Sequence, residues 1–408
     1  MKLAKLSLAA IVVAGLTTSS FGADTLADAF KNGKVNGELR AWYFERDRDA
    51  AGESADIFNT GLRLTYITSP LYGFSFGATL QSNFTPFADE DAKVVYEDEM
   101  YGSGAQLSEA YVNYKVGNTT AKIGRQFIRG VPLIGSSTSR MITQSFEGAL
   151  VTNTDLPQTT LMAGVITKFQ ARTDGEEIAD FKPLNNDHDY AYTAMIVNKT
   201  IPNVELTFQY LTVDNDSKGS SLANRTKGYE DYYFEAEYAN KIGAIDFGIA
   251  GNYLYTDWES YDAATMYGIK LNLGYGDLKT YFAYSSISDD DGNKGVKAGE
   301  GGGAQPNYVK GKQVKVGTYS SDTSGISIDA NYNFKQIGFN AGARYTQLDV
   351  NSVAADRNDQ KITDFYATYK CAGSLKGLEF DALYTILSGE FTAANKGEEL
   401  WFKANYKF

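Results

Sequence analysis

Cysteine and histidine are almost absent from this chain, and proline is scarce. The lone Cys371 cannot close an internal disulfide, so it reads as a small apolar filler on the outward parity of its strand. The lone His188 stands in Asn185-Asn186-Asp187-His188-Asp189 at a loop end. It is not held on the rigid element that a Ser-His or Asp-His hydrolytic centre needs. After the N-terminus no stretch approaches the ~20 continuous apolar residues of a membrane helix, and mean hydropathy is −0.33. Basic charge is in deficit too: a net charge of −12 argues against nucleic-acid binding.

Tyrosine (29), phenylalanine (23) and glycine (40) are abundant against 7 prolines, a composition that favours strands over helices. The last ten residues show how such a chain enters lipid without a hydrophobic run. Leu400, Phe402, Ala404, Tyr406 and Phe408 share one parity, whereas Glu399, Lys403, Asn405 and Lys407 share the other, broken only by Trp401. Successive side chains of a strand point to opposite faces, so one face meets lipid and the other needs water inside. At the opposite end, Lys2 and Lys5 precede an apolar run from Leu6 to Leu16 and then Ser20-Phe21-Gly22 before Ala23. That is the pattern of a secretory signal peptide over residues 1–22, cleaved after Gly22 to leave one barrel domain over 23–408.

Alternation then continues through about 18 strands, which predicts an all-β fold: a transmembrane antiparallel up-and-down β-barrel. A short amphipathic helix is expected between Ala23 and Asn32. Connections alternate along most of the chain between short turns, such as Gly117-Asn118 and Gly274 to Gly276, and long loops. The long ones are Asp47 to Thr60, Thr85 to Gly104, Arg129 to Gln144, Gln170 to Asp189, Asp214 to Gly228 and Ser288 to Ser324. Outer-membrane barrels sort their connections in this way, and an even strand count brings both termini to the periplasm.

A lipid-facing Arg or Lys costs roughly 2–4 kcal/mol near the bilayer midplane, so mid-strand charges should face the lumen. Parity then places Arg40, Arg63, Arg344, Lys370 and Lys403 on one basic wall, because their strands adjoin once the last closes on the first. Asp231, Glu235 and Glu237 share one parity on the tenth strand, across the barrel. Opposed walls would orient zwitterions and guide carboxylates, while the alternative is that these charges merely solvate the lumen and pair with one another. Arg125 is ambiguous: with Ile123 and Phe127 toward lipid it would face lipid too, unless a bulge shifts register, and the reading places it inside. Small inward residues such as Gly61, Ser75, Gly77, Thr79, Asn272 and Asn340 argue for an open path.

Lys122-Ile123-Gly124-Arg125-Gln126, running through Pro132 and Ser139-Arg140-Met141 to Ser145-Phe146-Glu147-Gly148, resembles the third-loop region of OprD-type outer-membrane porins. The opening Gly37-Glu38-Leu39-Arg40-Ala41-Trp42-Tyr43-Phe44 and the terminal Phe408 are similar as well. The resemblance implies an 18-stranded channel in the bacterial outer membrane, often trimeric, passing ions, small carboxylates or amino acids. It also implies that the third loop folds inward, so that Arg129 and Arg140 narrow the pore, and that Phe408 is the signal for the barrel assembly machinery. Lipid and small hydrophilic solutes are then the partners. No cofactor is expected. The run from Ser288 to Gly292 could bind calcium but lacks the spacing and terminal Glu of an EF-hand, and Gly299 to Gly303 has no following Lys-Ser/Thr to make a phosphate cradle. Two rival classes stay open: an adhesin or structural barrel with a blocked lumen, and a barrel hydrolase.

Overall fold

Strict alternation builds strands whose two faces differ, and the chain closes them on one another. The computed structural model of the protein describes residues 22–184, 190–213, 228–288, 294–314, 317–352 and 355–408. His188, the acidic run after Ser288 and the leader through Phe21 lie outside the described residues. Twenty-one strands follow in chain order: β1 Lys34–Arg48, β2 Ala55–Ile67, β3 Phe74–Asn83, β4 Gly104–Val116, β5 Thr119–Gln126, β6 Ser145–Asn153, β7 Thr159–Gln170, β8 Thr173–Asp174, β9 Glu177–Ile178, β10 Phe181–Pro183, β11 Ala191–Asn198, β12 Val204–Val213, β13 Tyr229–Ile242, β14 Ile245–Trp258, β15 Ala264–Tyr275, β16 Leu278–Ile287, β17 Thr323–Phe334, β18 Phe339–Ser352, β19 Ala355–Lys370, β20 Leu378–Gly389 and β21 Gly397–Lys407.

Eighteen of them, β1–β7 and β11–β21, form the wall, each antiparallel to its neighbour, and β21 closes on β1. Closure leaves no unpaired edge in lipid, where an unsatisfied backbone group costs several kcal/mol. At the seam Arg40 lies opposite Asn405, Trp42 opposite Lys403 and Phe44 opposite Trp401. This register sets one inward row on both strands: Trp42, Phe44, Trp401 and Asn405 are buried, whereas Leu39, Phe402 and Tyr406 are exposed on the lipid face. Trp401, the one break in the terminal alternation, is therefore an inward aromatic that packs on Phe44 at 4.6 Å between centroids.

The second strand begins at Ala55, inside the expected loop from Asp47 to Thr60, because the β1–β2 hairpin stays paired beyond the apolar band. The N-terminal helix spans Leu26–Lys31, with Thr25 accepting a hydrogen bond from the Asp28 amide at its cap. It seals the β2–β3 turn through a Ser69 N to Ala29 O bond of 3.0 Å. A second short helix, Glu90–Tyr96, and the hairpin β8–β9 were not legible from alternation; both belong to loops at the other end.

Part of the lumen is filled by loops. Ile128, Leu133 and Ile134 pack with Phe146, Leu211 and Leu254 in one buried cluster inside the wall. Much of the inward face of β6, β7 and β11–β15 is apolar because loops, not water, lie against it.

Candidate pore and constriction

Two loops fold into the barrel and meet. Loop 3 (residues 127–144) crosses from the β1 side, where the Arg40 guanidinium donates to Met141 O at 2.6 Å and Gln81 Nε2 donates to Thr143 O at 2.9 Å. On the far side, the Leu133 amide donates to Gln209 of β12 at 2.9 Å. Loop 7 (residues 288–322) enters from β16, where the Asn252 amide donates to Pro306 O and the Lys312 amide to Asp364. The loops join through backbone bonds: Gly135 N to Glu300 O at 2.9 Å, Glu300 N to Leu133 O at 2.8 Å and Gly303 N to Gly135 O at 2.9 Å. A Cβ on Gly135 would sit 2.3 Å from the Gly303 carbonyl carbon, and one on Gly299 2.1 Å from Leu133 O. The glycine run that is no phosphate cradle is thus the seam at which two backbones touch.

A cavity of about 730 Å³ lies beside loop 3, against β1, β2, β4–β7 and the end of β21. Its charged lining is Glu38, Arg63, Glu109, Lys115, Lys122, Arg129 and Lys407, beside Tyr111. Arg63 pairs with Glu38 at 2.6 Å, and Lys122 with Glu109 at 3.6 Å. Glu109 is held by Thr79 Oγ1 at 2.6 Å and by the Phe127 amide at 3.0 Å. Lys122 also lies 3.8 Å from the Tyr111 ring centroid. Arg129 has no ion-pair partner among the described residues. Burial and the neighbouring Arg63 lower its pKa, with Glu109 and Glu38 opposing.

The remaining expected residues fall in different places. Arg40 is buried under loop 3 and bound to Glu38 at 2.8 Å. Arg344 pairs with Asp329 of β17 at 2.9 Å, so acids interleave the basic wall. Lys370 has inward parity but lies at the short-turn rim, 70% exposed and 3.5 Å from Glu379. Lys403 donates to Ser139 O of loop 3 at 2.9 Å. Arg140 binds Glu99 at 2.6 Å. Across the barrel, Asp231 is buried, accepting from Thr256 Oγ1 at 2.6 Å and leaving its other oxygen without a partner. Glu235 accepts from Tyr308 of loop 7, and Glu237 is exposed.

Arg125 departs from the inward placement. It lies opposite Ala110 and Glu147, on the parity of lipid-facing Ile123, and pairs outside the barrel with Glu147 at 3.2 Å. Phe181 of β10 covers it at 4.2 Å. It avoids the cost of a lipid-facing charge by its position at the loop end of the strand, in that ion pair. The inward basic residue of β5 is Lys122, which parity with Gly124 and Gln126 would have indicated. Small inward residues also serve another purpose than openness: Gly61 makes room for Met141, and Gly77 for the Tyr111 ring.

Glu99, between β3 and β4, is the sole carboxylate within reach of Arg140 among the described residues. Burial alone would raise its pKa, but the Arg140, Arg46 and Arg172 guanidiniums outweigh it and hold it at about 2. Arg172 is lowered to about 10 by burial and by Arg140.

A closed eighteen-stranded barrel with an apolar outer face and a charged lumen narrowed by inward loops is the architecture of an outer-membrane channel. The chain belongs to the OprD family: the family model described as outer membrane porin, OprD family, matches residues 100–408. It is a porin of the bacterial outer membrane, a water-filled path for passive diffusion of small hydrophilic solutes. Similar solved structures include Acinetobacter baumannii OccAB3 (14% identity, TM-score 0.77, 93% of this chain and 99% of that one). Pseudomonas aeruginosa OpdK with vanillate is another (15%, 0.74, 93% and 99%). Pseudomonas aeruginosa OccK2 (OpdF) in complex with glucuronate is a third (14%, 0.75, 93% and 98%). Among curated proteins nothing matches.

Proposed function

We propose that this porin favours small carboxylates, drawn past Arg63, Lys122 and Arg129 in the cavity beside loop 3. The observation that carries this reading is Arg129, a guanidinium in the cavity lining with no ion-paired carboxylate among the described residues. A guanidinium binds a carboxylate bidentately, and in a narrow pore that pairing is screened less than at an open surface. Glu38 and Glu109 neutralise Arg63 and Lys122 in part, so the site binds weakly enough to release its solute, as conduction requires. The relatives solved with vanillate and glucuronate carry ligands of the same chemical class.

On this reading the chain needs no cofactor and performs no catalysis. Its mature form starts at Ala23, Phe408 engages the assembly machinery and the barrel sits in lipid as a homotrimer. The blocked-lumen alternative is disfavoured by the 730 Å³ cavity. The test is uptake and reversal potential in planar bilayers with R63A/R129A. Flux of small carboxylates should fall about tenfold, the effect of ~1.4 kcal/mol, with neutral sugars little changed. Equal loss for both solutes, or none, would refute the reading.

A further inference from the structure

Three consecutive residues of loop 3 are gripped where the barrel closes. Lys403 of β21 holds Ser139 O at 2.9 Å, and Arg40 of β1 holds Met141 O at 2.6 Å. Between them, Arg140 donates twice to Glu99, at 2.6 and 2.8 Å, and lies over Trp401 at 4.2 Å and Phe44 at 5.7 Å. Lys403 is itself boxed by Trp42 at 4.1 Å, Trp401 at 4.8 Å and Phe44 at 5.3 Å. Arg46 of β1 reaches the same Glu99 at 3.5 Å. Arg140 is 7% exposed and is not among the residues lining the cavity.

We propose that Arg140 is a positioning residue. Bedded on Trp401 and Phe44 and clamped by Glu99, it pins loop 3 to the β21–β1 seam and so sets the width of the pore rather than its charge. The physical ground is that a cation stacked on an indole and doubly hydrogen-bonded to a carboxylate is held by two independent attractions that water opposes weakly in a buried site. Loop 3 is fastened at one end by this clamp and at its middle by the seam with loop 7. Release of the clamp frees the part of loop 3 that runs from the loop 7 seam to β6, and with it the loop's hold on the β21–β1 side of the lumen.

This inference rests on the porin reading, and single-channel recording separates the two. R140M, E99Q and W401L change charge by −1, +1 and 0, yet each breaks the clamp. All three should raise the fraction of time spent in displaced, noisy conductance states about ten- to hundredfold. R140K should recover part of the wild-type quiet, and R140M/E99Q should be no noisier than R140M, since both remove one clamp. W401F is the milder substitution should W401L fail to fold. Quiet channels in every variant, with reversal potential moving in opposite directions in R140M and E99Q, would show Arg140 acting as a pore charge and overturn the proposal. A wild-type protein that folds but does not conduct would instead remove the porin reading.

Discussion

The seam between loops 3 and 7 gives the sharpest expected outcome, through Gly301→Ala. Gly301 has φ +78°, and its added Cβ would lie 2.3 Å from Gly135 O and 2.7 Å from Phe146 Cζ. An alanine held in the left-handed region costs about 1–2 kcal/mol. Relief of the overlap with a backbone oxygen requires the two loops to part by about 1 Å, which stretches the Gly303 N to Gly135 O and Gly135 N to Glu300 O bonds, both now 2.9 Å. Each such bond contributes about 0.5–1.5 kcal/mol net. The seam should thus weaken by about 2–5 kcal/mol, enough to shift the joined-to-parted ratio more than tenfold. The wall strands share none of these bonds, so the barrel itself should fold normally. In planar bilayers the variant should conduct more and fluctuate more, while retaining the heat-modifiable migration of an intact barrel. Gly276→Ala is the control: at φ +59° with nothing within 4 Å of its Cβ, it carries the backbone term alone and lies in a turn far from the seam. A G301A channel as quiet and as narrow as wild type would show that loops 3 and 7 do not jointly set the cross-section.

Acid should loosen the Glu99 clamp only at low pH: a carboxylate held at about 2 gives stability that is complete above its unfolded value near 4.5 and is lost as pH falls toward 2. With Glu99 31% exposed, the contribution is discounted to about 1–2 kcal/mol, so channel noise should be constant from pH 8 to 5 and rise below 4; a rise already at pH 6 would contradict this. Arg125→Ala should leave reversal potential and conductance at wild-type values, because the side chain lies outside the lumen against Glu147; a shift toward cation selectivity would place it inside after all.

Parity carried most of the wall. A side-chain period of two is a local property, so the terminal strand could be read residue by residue, and Arg40, Arg63, Arg344 and Lys403 all have the inward direction that their neighbours impose. Where the ladder slips, at Thr79/Leu80 and at Glu147/Gly148, the parity of a strand changes partway along it, which a pattern of alternation does not register. Arg125 stands on an unbroken β5 ladder and keeps the outward parity of Ile123; the cost of a lipid-facing charge pointed it inward, and its ion pair with Glu147 under Phe181 lifts that cost. Lys122, three residues earlier in the same strand, has an inward parity that the alternation of β5 makes legible.

From the sequence by itself came the barrel, its strand order, the ends at which turns and loops lie, and the inward face of nearly every strand, because these follow from neighbours along the chain and from the cost of bare backbone in lipid. What those inward charges do was decided by tertiary structure alone. Arg40 meets Met141 across 101 residues and Lys403 meets Ser139 across 264, and such separations bring loop backbone to charges that alternation can only point toward water. Loop 3 and loop 7 carry no periodicity, so their inward path, the glycine contact that joins them and the one-sided cavity they leave follow from packing against the finished wall.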